Sequence, residues 1–170
     1  MINPISQKLL DKNGFTPCGM CFNASGPESG KEYSKDVHRL HAGFCVRILD
    51  KKTRHLLYLP DECANYVKDV FFAAGMSFSI QAASQPSTPA TIPSYKFDAF
   101  TKALEIRIDR IGADLREKIK WLQSLEGSEQ VQVVMVYLNM NDPACPLYYP
   151  YFCDIDFLFA GCLPGSAAGS

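Results

Sequence analysis

Cys18-Gly19-Met20-Cys21 is the tightest grouping of reactive side chains in the sequence. A C-x-x-C pair that opens a helix has a lowered thiol pKa and supports disulfide exchange. Here the flanking Phe15 to Asn23 reads as a strand, which sends the two thiols to opposite faces. A zinc site would need a second pair of ligands. The nearest are in His38-Arg39-Leu40-His41, whose setting reads as a polar loop that happens to hold two histidines. Farther along, Glu105, Arg107 and Asp109 alternate with Leu104, Ile106 and Ile108, so three charged groups share the wet face of a strand. Tyr148, Tyr149 and Tyr151 crowd into a segment broken by Pro146 and Pro150, where aromatic packing accounts for them as well as chemistry does. Asn139 and Asn141 stand just ahead, at positions suited to cap a helix.

The elements that would carry these groups follow from periodicity and punctuation. Met1 to Lys12 reads as a short helix or tail, with Ile5, Leu9 and Leu10 at helical spacing. Ser25 to Asp36 is a polar loop. Gly43 to Leu49 and His55 to Leu59 are strands about the turn Asp50 to Thr53. Pro60 and Asp61 open a helix with the apolar stripe Cys63, Val67, Val70, Phe71 and Ala74, and Gly75 closes it. Met76 to Ala82 is the next strand. Residues 84–95, rich in Pro, Ser and Thr, read as an internal linker. After the strand at Leu104 to Ile108, Gly112 turns the chain into a helix. Leu115, Ile119, Leu122 and Leu125 mark its buried face, and Asp114 and Lys118 support it at i,i+4. The apolar run Val131 to Leu138 reads as a central strand covered on both faces. A short helix and a last strand from Asp156 and Phe157 complete the pattern. Leu57-Tyr58-Leu59-Pro60 with its helix and Met76-Ser77-Phe78 parallels Val136-Tyr137-Leu138 with its helix and Asp156-Phe157, so two similar strand–helix–strand halves are expected.

At 170 residues the chain fits one domain, 1–170, with residues 1–14 as an N-terminal helix or tail. Lys and Arg number 17 against 18 Asp and Glu, so bulk charge offers no reason to propose nucleic acid or an acidic membrane as partner. No apolar run reaches the roughly 18 residues that span a bilayer. Met1 to Asn13 lacks the basic start and apolar stretch of a secretory signal. The seven cysteines are odd in number and scattered through apolar segments, which suits reduced, buried thiols in the cytoplasm.

Asn141, Ala144 and Leu147-Tyr148 are spaced like the end of the GNAT (acyl-CoA N-acyltransferase) core. Leu57-Tyr58-Leu59-Pro60, Gly112-Ala113-Asp114-Leu115, Val136-Tyr137-Leu138 with Asp142-Pro143, and Phe157 to Pro164 extend the match over about Phe15 to Gly165. The chain resembles the GNAT-like domain found in bacterial proteins that also carry an anti-sigma-factor-like, histidine-kinase-type ATPase domain. No Asn-box or Gly-rich nucleotide lid of such an ATPase is present in this sequence, and the resemblance implies a partner of that kind. It also implies a final strand beyond Pro164, where the sequence reads Gly165-Ser166-Ala167-Ala168-Gly169-Ser170.

The resemblance implies an α/β fold with a mixed central sheet flanked by helices. It further implies acyl transfer from acetyl-CoA or another acyl-CoA to an amine on a small molecule or protein. Gly112 and Ala113 would then hold the CoA pyrophosphate with backbone N–H groups at a helix N-terminus, and Asn141 would flank the same site. Glu105 would act as base and Tyr148 as acid. Asp109 and Asp114 stand where the family has a basic or amide residue and a small one, and two carboxylates beside a pyrophosphate would repel it. The alternative is a catalytically silent GNAT-like module that binds a ligand or a protein. What separates the two is whether the amides of the Asp109 to Asp114 turn face an open cleft.

Overall fold

The computed structural model describes residues 4–25, 40–49, 52–99, 101–123 and 131–164. Their order is α1 (Pro4–Lys12), β1 (Thr16–Ser25), β2 (Leu40–Val46), β3 (Arg54–Leu57), α2 (Asp61–Ala73), β4 (Ser77–Ile80), β5 (Ile92–Asp98), β6 (Ala103–Arg110), α3 (Leu115–Gln123), β7 (Val133–Leu138) and α4 (Cys145–Asp154). The fold is mixed α/β. The polar loop expected from Ser25 to Asp36 has its first residue, Ser25, at the end of β1; its residues 26–36 and the buried position of Leu125 lie outside the described residues. So do His38 and the side chains of Cys21, His41 and Leu122.

The strands form three small sheets: β1-β2, β3-β4 and β5-β6-β7. A single mixed central sheet was expected, so the division is a correction. What joins the sheets is local. Where β3 and β7 end, the Tyr58 N–H donates to Met140 O at 2.8 Å, and Asn141 Nδ2 donates to Leu56 O at 2.9 Å.

Two parallel units organise the chain: β3-α2-β4 and β6-α3-β7. The expected repeat paired the first of these with β7, α4 and a strand at Asp156. Among the described residues no regular strand follows α4; from Asp156 to Pro164 the chain forms an isolated antiparallel bridge, Gly161 to Gly19. The apolar run of β7 also sits differently. It pairs with β6 at the end of the described three-strand order and is half-buried throughout, while β6 is central. A continuous apolar run does not by itself distinguish these places.

The helices start and stop for readable reasons. Pro60 precedes α2, Asp61 and Glu62 fill its first turn, and Val67, Val70 and Phe71 are buried. At its end the Met76 N–H donates to Phe71 O and the Gly75 N–H to Phe72 O, a Schellman close. Pro93 is tolerated in β5 beside a register shift at Ile92/Pro93. Thus the expected linker 84–95 is part strand, since Ile92 to Tyr95 belong to β5.

The described residues form two cores. The first gathers Cys18, Leu57, Val67 and Phe71 with Cys63 and Cys162. The second joins Ile106 and Ile108 of β6 to Leu115 and Ile119 of α3 and Phe152 of α4. Truncating a fully buried phenylalanine such as Phe71 typically costs about 3–5 kcal/mol. None of the described helices is long and apolar enough to cross a membrane.

Candidate functional site

The turn from β6 into α3 is where a glycine and a helix N-terminus come together. Each of its amides already has a partner in the chain. The Ile111 N–H donates to Asp142 Oδ2 at 2.8 Å. The Gly112 N–H donates to Thr91 Oγ1 at 3.1 Å. Ala113 N–H reaches Thr88 O at 3.2 Å, Asp114 N–H reaches Pro89 O at 3.3 Å, and Leu115 N–H reaches Gly112 O at 3.2 Å. The first four orphan donors of a helix are what an anion would otherwise use. Here the 88–91 segment and Asp142 occupy the turn amides from Ile111 to Asp114, and in the first turn of α3 the Leu115, Glu117 and Lys118 N–H groups fold back onto Gly112 O and Asp114 O.

Side chains lock that segment down. Asp114 Oδ1 accepts from the Thr91 N–H at 2.6 Å, and Lys118 Nζ donates to Thr91 O at 3.0 Å. The i,i+4 pair expected from spacing is present, with Lys118 Nζ 3.6 Å from Asp114 Oδ2. Burial pushes the Asp114 carboxyl up, but the hydrogen bonds from Thr91 and the charge of Lys118 outweigh it and hold the carboxyl below its ordinary value. Gly112 is required by approach: a Cβ there would run into Ala90 C and Thr91 N, with Ala90 O at 2.6 Å.

The other expected site residues lie apart. Glu105 is half-buried on β6, between Lys96 of β5 and Met135 of β7. Strand alternation turns it away from the face of Leu104, Ile106 and Ile108, against whose core Tyr148 packs. Arg107, on the Glu105 face, stacks over the Tyr137 ring at 5.1 Å. Asn139 and Asn141 do not cap α4. Asn139 Nδ2 donates to Asp109 O at 3.1 Å, Asn139 Oδ1 accepts from Asn141 N–H, and Asn141 reaches Leu56 O. Ahead of α4 it is Asp142 whose Oδ1 accepts the Ala144 N–H at 2.9 Å. Asp142 thus bridges two helix entrances, a role its position beside Pro143 did not announce.

A cleft of about 860 Å³ opens between the two halves. Its walls include Leu57, Phe71, Val134, Val136 and Phe152, and Arg107, Asp109 and Asn141 also line it. Among the described residues, Glu105, Gly112, Ala113 and Tyr148 do not. Tyr137 of β7 lines the cleft, and of the tyrosines in α4 it is Tyr149 that does. Burial, then the neighbouring Cys63 and Cys153, hold its phenol far above the ordinary value, so it keeps its proton firmly. Burial likewise pushes the Cys63 thiol up to about 11, with Glu62 adding to the effect. No group of three or more His, Cys, Asp or Glu among the described residues is arranged to hold a metal ion.

No family model, no curated protein and no solved structure matches the chain.

Proposed function

We propose that this chain is a catalytically silent binding module of GNAT-like ancestry, and that it takes a small, mainly apolar ligand in the cleft between its halves. The observation that carries this reading is the pairing of every amide from Ile111 to Leu115 within the chain. A CoA pyrophosphate gripped at this turn would have to displace residues 88–91 and the three hydrogen bonds that Asp114 and Lys118 help to hold there. It would also meet the Asp114 carboxylate.

The cleft is of ordinary ligand-binding size and is walled chiefly by aliphatic and aromatic side chains, with a few polar groups at its rim. Acyl transfer draws less support. A base and an acid must both reach the reacting atoms, and Glu105 and Tyr148 belong to different faces of β6 and to neither wall of the cleft.

The test is the thermal midpoint with excess acetyl-CoA, set beside a fluorescence titration with the apolar probe cis-parinaric acid. A ligand present at about a hundred times its Kd stabilises the folded state by roughly 2.7 kcal/mol. The expected result is no shift with acetyl-CoA and saturable probe binding that Ala160→Trp abolishes, since exposed Ala160 lines the cleft. A clear shift with acetyl-CoA would restore the acyltransferase reading.

A further inference from the structure

The C-x-x-C spacing draws attention to Cys21 as the partner of Cys18, but the fold sets a different cysteine opposite it. Gly19 pairs with Gly161 in an antiparallel bridge. The Met20 N–H donates to Ala160 O and the Cys162 N–H to Cys18 O, each at 2.8 Å. One step from the glycine pair, Cys18 therefore lies directly across from Cys162. Directly opposed residues in an antiparallel pair present their side chains on the same face. Both thiols are in the first core, 0% and 5% exposed, and both line the cleft.

Reach is adequate. The Cys162 N–H bond to Cys18 O joins the two residues directly, and opposed residues of an antiparallel pair stand about 4.5–5.5 Å apart at Cα, inside the roughly 4.4–6.8 Å that a disulfide spans. The two glycines let the backbones close on each other: a Cβ on Gly19 would lie 2.6 Å from Ala160 O. The Cys18 thiol now makes only a weak bond to Phe44 O at 3.5 Å. Cys21 is three residues along the same strand, in register with Ala42 of β2.

We propose that Cys18 and Cys162 form a reversible disulfide that fastens the segment after α4 to β1 at the wall of the cleft. The oxidant is a small-molecule disulfide such as oxidised glutathione, admitted through the cleft. One cysteine, as thiolate, attacks a glutathione sulfur; the glutathione disulfide breaks and one glutathione thiolate leaves. The second cysteine loses its proton and attacks the protein sulfur of the mixed disulfide, expelling the second glutathione thiolate. The two protons released by the cysteines convert both leaving thiolates to thiols, so the protein is oxidised by two electrons and the glutathione disulfide reduced by two. Burial raises both thiols above the ordinary value. Exchange is therefore slow near neutral pH and quickens as pH rises.

The test uses the full chain, reduced and then incubated with oxidised glutathione at pH 7 and pH 9, trapped by alkylation and mapped with chymotrypsin under non-reducing conditions. Chymotrypsin can cut after Met20, and after Phe157 and Phe159, so Cys18 is separated from Cys21 and Cys162 from Cys153. The expected result is a Cys18–Cys162 cross-linked peptide pair that forms faster at pH 9, survives Cys21→Ser and is dispersed by reductant. A Cys18–Cys21 link overturns the proposal. So does recovery of Cys18 and Cys162 only as alkylated or singly glutathionylated peptides. Mapping of the unmodified chain decides the matter, so a variant that fails to fold does not obscure it.

Discussion

The two parallel strand–helix–strand units enter their helices in opposite ways. In β3-α2-β4 the entrance at Pro60 has no side-chain cap. Pro60 and Cys63 line the cleft, and the Cys63 N–H turns back to Pro60 O at 3.3 Å. In β6-α3-β7 the entrance is fastened by Thr88, Pro89, Thr91, Asp114 and Asp142, away from the cleft. Glycine and exposed-looking amides mark the second entrance as a ligand loop, yet they are spent on tying one half of the chain to the other. The first entrance, opened by a proline with no N–H to give, is the one that faces the empty space. A glycine at a helix start thus reports a close backbone approach, and the approaching group here is the chain itself.

Gly112→Ala should have the largest effect. The added methyl meets backbone rather than a movable side chain, and overpacking of this kind costs about 1–3 kcal/mol or more. The midpoint of urea unfolding should fall well below that of Gly75→Ala, whose glycine closes the other helix and carries a cost of about 1 kcal/mol. Equal losses would mean that the α3 entrance is no tighter than the α2 exit.

Thr91→Val should come next, at about 1–2 kcal/mol, because it leaves the buried Gly112 N–H without an acceptor. Equilibrium unfolding measures it, and a neutral result would show that the strap is held by its backbone alone. Asp114 should make the same entrance sensitive to acid. Its carboxyl titrates lower when folded than its ordinary 3.8, so its contribution is complete above that pH and is lost as pH falls through the lower folded value. Asp114→Asn should therefore lower stability at pH 6 and flatten its decline between about pH 4 and pH 2. A variant that keeps the parent's acid slope would assign that slope to other groups.

The smallest effects should be those of Glu105→Gln and Tyr148→Phe. Both side chains are half-exposed and outside the cleft, so changes within about 0.5 kcal/mol are expected, with probe binding unaltered. Loss of binding in either would draw that residue into the site.

Much of the scaffold was legible because its signals are local. The Pro60 start, the Val67, Val70 and Phe71 stripe and the Gly75 stop of α2 all lie within one turn of the features they control. Alternation in Leu104 to Asp109 fixed which face of β6 is buried. The rest depends on distant partners. Thr91 sits in a Pro- and Ser-rich stretch with no pattern of its own, and its meaning comes from Gly112, 21 residues away. The apolar run of β7 is compatible with a central or a terminal place in the sheet. The crossing of Gly19 and Gly161 joins segments far apart in the chain, so neither the nearness of Cys18 to Cys162 nor the irregular course of Asp156 to Pro164 had a local sign.

Amide hydrogen exchange at Gly112, Ala113, Asp114 and Leu115, followed with and without excess acetyl-CoA, goes to the heart of the matter. If the turn is closed by the chain itself, these amides are protected in the free protein and acetyl-CoA leaves their rates unchanged. Fast exchange in the free protein that slows when acetyl-CoA is added would show an open anion site, and the silent-module account would fall.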